Sequence, residues 1–170
     1  MIQVHICGRG EIPDFKDKSI THLVSIIDPQ ESLVVTPEWI NPSNHVTYKF
    51  HDVEAPGMSM TPEKWEIKEV MDHLRELYSL SERGGNVNLL VHCFAGIGRS
   101  VSIAYILMCL IMGSGKESEA WKEIHRLRKW AWGNLMIISY GDEFLQRNGK
   151  MVEVVKEFRQ NECGTVSSYF

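Results

Sequence analysis

Apolar positions change period several times along the chain. Residues 1–7, MIQVHIC, predict a short strand. Residues Gly8 to Lys18 are polar, contain Pro13 and predict a turn region. Ile20 to Ile27 is rich in β-branched residues and predicts a buried strand ending at Asp28-Pro29. Pro37 opens a short helix through Trp39 and Ile40, which Asn41-Pro42 stops. Val46 to Phe50 alternates apolar with polar residues, the pattern of a strand with one covered face.

A helical period begins at Thr61-Pro62-Glu63, which combines an N-cap type, a rigid first position and an acid near the dipole. Trp65, Ile67, Val70, Met71, Leu74, Leu77 and Tyr78 then recur on one face. They predict a core-packing helix from Pro62 to about Leu80. Asn88 to Val91 is apolar enough to be the central strand. A buried helix is expected from about Arg99 to Met112, ended by Gly113-Ser114-Gly115. Further helices are expected from Glu117 or Ser118 to about Leu127, from an Asn134 cap to about Gln146, and from Met151 to Phe158. The pattern is α/β: a single domain whose short central sheet, at least partly parallel, has helices on both sides.

Composition narrows the classes. The chain has 170 residues, 44% of them hydrophobic, enough for one domain with a sizeable core. Its formal charge of -4 argues against a nucleic-acid partner. The apolar run Val101–Met112 is too short to span a bilayer, so no membrane role is expected. Cys7, Cys93, Cys109 and Cys163 form no C-x-x-C pair, and the histidines form no visible metal set. No metal and no cofactor are expected. With no secretory start pattern, the chain reads as cytoplasmic and reduced.

The chemistry concentrates where the central strand meets the buried helix, in His92-Cys93-Phe94-Ala95-Gly96-Ile97-Gly98-Arg99-Ser100. A thiol reacts as its thiolate. Cys93 stands at a strand end before a helix N-terminus, with Arg99 close by, and all three features favour a negative sulfur. They equally favour an oxyanion above it. The main-chain amides of Phe94, Ala95, Gly96, Ile97, Gly98 and Arg99 can wrap a tetrahedral dianion. Arg99 can grip two of its oxygens. The ligand that fits is a phosphate monoester. Ser100 can steady the sulfur as a leaving group, and His92 reads as a support for the loop backbone.

Displacing an alkoxide or phenoxide needs a proton donor. Asp52, just past a strand end, is the leading candidate, with Glu54 its rival and Asp28 a third. Cys7 is a candidate to resolve an oxidised Cys93. The run Arg126-Leu127-Arg128-Lys129 reads as a solvated helix end. Trp130 and Trp132 pack the C-terminal helices or line the pocket rim.

The nine residues 92–100 resemble the His-Cys-x5-Arg-Ser/Thr signature of the cysteine-dependent protein tyrosine phosphatases, most closely the compact dual-specificity-like branch. Ser19 to Leu23 and the segment 128–142, with Asn134 and Asp142, resemble flanking parts of that family; Gly133 stands where a proline is usual. The Trp-Pro-Asp acid motif of classical members is absent. The resemblance implies a catalytic domain over residues 1–160 with a tail over 161–170. It implies Cys93 as nucleophile, Arg99 as phosphate binder, Ser100 as an aid to intermediate breakdown and an acid near Asp52. The partner would be a phosphorylated protein, with phosphotyrosine foremost and phosphoserine or phosphothreonine beside it, or a small phosphomonoester. Two other readings stand beside it: a rhodanese-like sulfurtransferase, and a catalytically weak phosphate-binding module.

Overall fold

The computed structural model describes residues 2–55, 57–58 and 60–166, with side chains as far as residue 162. The Cys163 side chain and residues 167–170 of the expected tail lie outside the described residues. Four strands, β1 (Ile2–Gly8), β2 (His22–Ile27), β3 (His45–Lys49) and β4 (Val87–Cys93), form one sheet in the order β1-β4-β2-β3. Every pairing is parallel. Every residue of the two inner strands, β2 and β4, is buried, as a parallel sheet covered on both faces requires.

The two covers differ. On one face Val4, Ile6, Val24, Ile26, Leu89 and Val91 pack beneath α1 (Lys64–Glu82), α2 (Arg99–Met112), α3 (Glu117–Leu127), α4 (Leu135–Phe144) and α5 (Lys150–Val166). On the other, Cys7, Leu23 and Leu90 are covered by Ile12 and Phe15 of a 3-10 helix, Arg9–Phe15, and by Val34, Trp39 and Ile40 of an irregular segment. Helical cover therefore lies on both sides, but five α-helices share one side.

Several local expectations shift. The 3-10 helix replaces the expected turn region, because the sequence around Pro13 carries no apolar period. Residues 37–40 make only a turn, closed by Ile40 N–H to Pro37 O at 2.9 Å. Helix α1 starts two residues after Pro62, where the Glu66 carboxylate accepts from Glu63 N–H at 2.7 Å. Helix α5 runs on to Val166.

Because all four strands are parallel, their C-terminal ends share one edge. There β4 hands over to α2, and β2 and β3 hand over to the segments carrying Asp28 and Asp52. This is the edge where α/β sheets place their ligand sites.

Candidate active site

The loop between Cys93 and Arg99 is shaped by where its carbonyls go. Phe94 O accepts from Arg9 N–H at 3.0 Å. Ala95 O and Gly96 O accept from the Arg128 guanidinium at 3.0 and 3.1 Å. Ile97 O accepts from Trp132 N–H and Gly133 N–H at 3.1 and 3.0 Å. Gly98 O accepts from Ser102 N–H and its hydroxyl, both at 3.0 Å. In a trans peptide the N–H points opposite to the C=O. Five consecutive carbonyls tied outward therefore turn the amides of 95–99 toward the concave side. Gly96 N–H does reach Cys93 Sγ, at 3.3 Å.

Gly96 is essential to this path. Its φ is +71°, and a Cβ would stand 2.5 Å from the Cys7 backbone. The Phe94, Ala95 and Ile97 side chains are exposed, so these residues face the concave side with their main chain.

Cys93 is 2% exposed, and its sulfur lies 3.2 Å from the Ser100 hydroxyl. Helix α2 begins at Arg99 with no side chain capping it, so its first amides are directed at the same concavity. Arg99 is 3% exposed. Its Nη1 donates to Asp28 Oδ1 at 3.0 Å and to Phe50 O at 2.8 Å. Its buried Nε has no hydrogen-bond partner. Nη1 is thus fixed by protein, while the Nε hydrogen is available to a ligand oxygen.

The three candidate acids part company here. Asp28 is spent on orienting Arg99, and the same oxygen lies 3.4 Å from His51 Nδ1. Glu54 accepts two bonds from Arg159, at 2.9 and 2.6 Å, and one from Leu135 N–H at 3.0 Å. Burial raises the Glu54 pKa, but the Arg159 bonds and the Leu135 amide outweigh it and hold the carboxyl below its usual range. Asp52 stands over the loop: its Oδ2 is 3.9 Å from Arg99 Nε, and a Cβ on Gly98 would fall on its carboxylate. Asn134 Nδ2 donates to Asp52 Oδ1 at 2.8 Å.

His92 is fully buried, and burial pushes its pKa down to about 4. Its Nδ1 faces Cys93 O at 3.3 Å, and its Nε2 lies 2.6 Å from the Ser25 hydroxyl. Ser25 in turn lies 2.7 Å from His45 Nε2, whose Nδ1 meets the Thr36 hydroxyl at 2.7 Å. One set of tautomers satisfies all four contacts. Thr36 donates to His45, His45 to Ser25, Ser25 to His92, and His92 to the Cys93 carbonyl. The imidazole therefore supports the loop from behind.

Sequence reasoning missed several members. Arg128 is not a solvated helix end: it holds two loop carbonyls and pairs with Glu11 at 2.8 Å. Glu11 is held below its usual range by the Gly8 amide and then by Arg128. Arg126 of the same run does lie at the surface, paired with Glu123. Cys7 packs on the opposite sheet face from Cys93, and burial pushes its thiol up to about 12. It does not face Cys93. Trp132 flanks the loop through its amide, and Trp130 is 70% exposed. Among the described residues, no cluster of His, Cys, Asp or Glu could hold a metal ion, and no helix is long and apolar enough to cross a membrane.

No family model and no curated protein matches the sequence. Solved structures do match. DUSP15 is 21% identical with a TM-score of 0.60, the match covering 92% of each chain. Human DUSP28 is 15% identical, with a TM-score of 0.56 over 81% of this chain and 82% of that one. PTPMT1, solved in complex with PI(5)P, is 13% identical, with a TM-score of 0.56 over 85% and 90%. The chain has the fold of the compact, dual-specificity-like tyrosine phosphatases. Within that phosphatase fold, the loop 92–100 lies where β4 turns into α2.

Proposed function

We propose that the chain hydrolyses phosphomonoesters through a cysteinyl-phosphate on Cys93. One observation carries this reading. The Cys93 sulfur sits under a loop whose five carbonyls are all bound outward, beside an Arg99 whose buried Nε has no hydrogen-bond partner. Such an arrangement fits a tetrahedral dianion held by amides and a forked cation. The Cys93 thiolate forms an S–P bond as the P–O bond to the leaving group breaks. Asp52 gives its proton to the departing oxygen. The Asp52 carboxylate then takes a proton from water, whose oxygen attacks phosphorus. The S–P bond breaks, and the Ser100 hydroxyl stabilises the returning thiolate.

The substrate is a phosphoprotein, with phosphotyrosine foremost. The arginines around the loop are matched by carboxylates: Arg99 by Asp28, Arg9 by Glu31 and Arg128 by Glu11. This balance suits a single phosphate better than a polyphosphate, which rewards extra positive charge. The matching structures named as dual-specificity phosphatases support the same reaction class.

The test is hydrolysis of p-nitrophenyl phosphate and of a phosphotyrosine peptide. Cys93→Ser is expected to lose at least about 10³-fold in kcat with its thermal unfolding unchanged. Asp52→Asn is expected to lose about 10²-fold and the acid-dependent limb of the pH profile. Unchanged turnover in Cys93→Ser would sink the mechanism. Binding of the phosphopeptide by the wild-type protein without turnover would favour a phosphate-binding module.

A further inference from the structure

The acid loop is fastened by a residue far away in sequence. Arg159 of α5 lies 105 positions after Glu54 and binds it with both terminal nitrogens. Its Nη2 also donates to Gly133 O at 2.5 Å and its Nε to Trp132 O at 3.3 Å. The guanidinium lies over the Trp132 ring, 4.8 Å from the centroid.

The same two residues, Trp132 and Gly133, give their N–H groups to Ile97 O of the phosphate loop. The next residue, Asn134, holds Asp52, and the one after, Leu135, holds Glu54. Arg159 therefore closes a ring. It grips the segment that carries Asp52, grips the segment that receives Asp52, and that second segment is bonded to the loop over Cys93. A planar fork with donors on three nitrogens can span these partners; a lysine ammonium cannot.

We infer that Arg159, acting through Glu54, is a positioning residue that sets the Asp52 carboxyl at the leaving-group oxygen. The inference rests on the reading of Asp52 as proton donor. Arg159 touches neither substrate nor reacting atoms. Its loss lets the 52–54 segment move off the loop, so proton delivery suffers while phosphate binding by Arg99 and the amides persists. Small displacements of a catalytic group are costly to the chemical step.

The experiment is a series of aryl phosphates whose leaving phenols span weakly to strongly basic, measured on the full chain. Arg159→Ala is expected to lower kcat/KM about 10-fold for the most basic leaving group and less for the least basic. In an Asp52→Asn background the same substitution is expected to cost less than about 2-fold, because the group it positions is already gone. Glu54→Gln leaves the Arg159 bonds to Trp132 and Gly133 in place. It should reproduce the leaving-group signature, and it serves if Arg159→Ala does not fold.

A loss in kcat/KM equal for all leaving groups, or one that persists in full beside Asp52→Asn, overturns the inference and marks Arg159 as structural. If Asp52→Asn itself leaves the leaving-group dependence unchanged, the reading of Asp52 fails first, and the inference with it.

Discussion

Helices α2 and α4 both begin at the edge of the site, and their N-termini are treated in opposite ways. Both ends carry unsatisfied amides and a partial positive charge. At α4 the protein supplies every partner: Asn134 accepts from Met136 N–H and Ile137 N–H at 3.0 and 3.1 Å, and Glu54 accepts from Leu135 N–H. At α2 no side chain caps the helix, and Gly98 occupies the cap position. One terminus is spent on fastening the segment that carries Asp52 and Glu54. The other is left open toward Cys93, where the proposed reaction would place the phosphate. The same local device becomes structure or function according to whether a carboxylate or amide of this chain reaches it.

The largest expected effect breaks the comparison on the α2 side. Arg99→Lys keeps a charge beside the open terminus but cannot hold Asp28, Phe50 O and a ligand together. It is expected to lower kcat/KM on p-nitrophenyl phosphate by roughly 10²–10³-fold. A drop under a few-fold in steady-state kinetics would mean that the amides alone hold the phosphate.

An intermediate effect is expected on the α4 side. Asn134→Ala removes the cap and the Asp52 contact together, costing about 1–2 kcal/mol in denaturant unfolding as well as turnover. Asn134→Ser restores a capping oxygen without the Nδ2 donor. It should recover most of the stability and little of the kcat, which separates fastening the helix from placing the acid.

The smallest effect concerns the support behind the loop. The His92 pKa is lowered from 6.5 to about 4 in the fold by burial. Between those values the unfolded chain binds a proton that the folded chain refuses. This contribution to stability is therefore full above pH 6.5 and is lost as pH falls toward 4. Burial lowers His22, His45, His73 and His125 in the same direction. Urea unfolding across this range should show stability falling with pH, with a slightly shallower slope in His92→Asn.

Much of this was legible from pattern. The strand-to-helix switch at 92–100, the Asn134 cap and the buried α2 all follow from spacing within a few residues. The start of α1 was displaced because two adjacent signals competed, Thr61-Pro62 and Glu63–Glu66, and the carboxylate-to-amide bond at Glu63 set the boundary. Asp28 was weighed only as an acid, although it follows β2 as Asp52 follows β3. Parallel strands bring such positions to one edge, a signal that pointed toward Arg99. Arg128 and Arg159 carried no comparable signal. Arg128 lies in a charged run that reads as a solvated helix end, Arg159 just follows the end of the expected last helix, and their partners lie far off in sequence.

The sequence by itself determined the strand-to-loop-to-helix turn at 92–100 and the α/β order of elements. Those depend on backbone geometry over one turn and on apolar period. Tertiary structure alone decided which carboxylate stands over the loop, which orients Arg99 and which is held by α5. Asp28, Asp52 and Glu54 are alike as residues. They differ only in what the packed strands and helices bring within hydrogen-bond reach, and that depends on strand order rather than on neighbours along the chain.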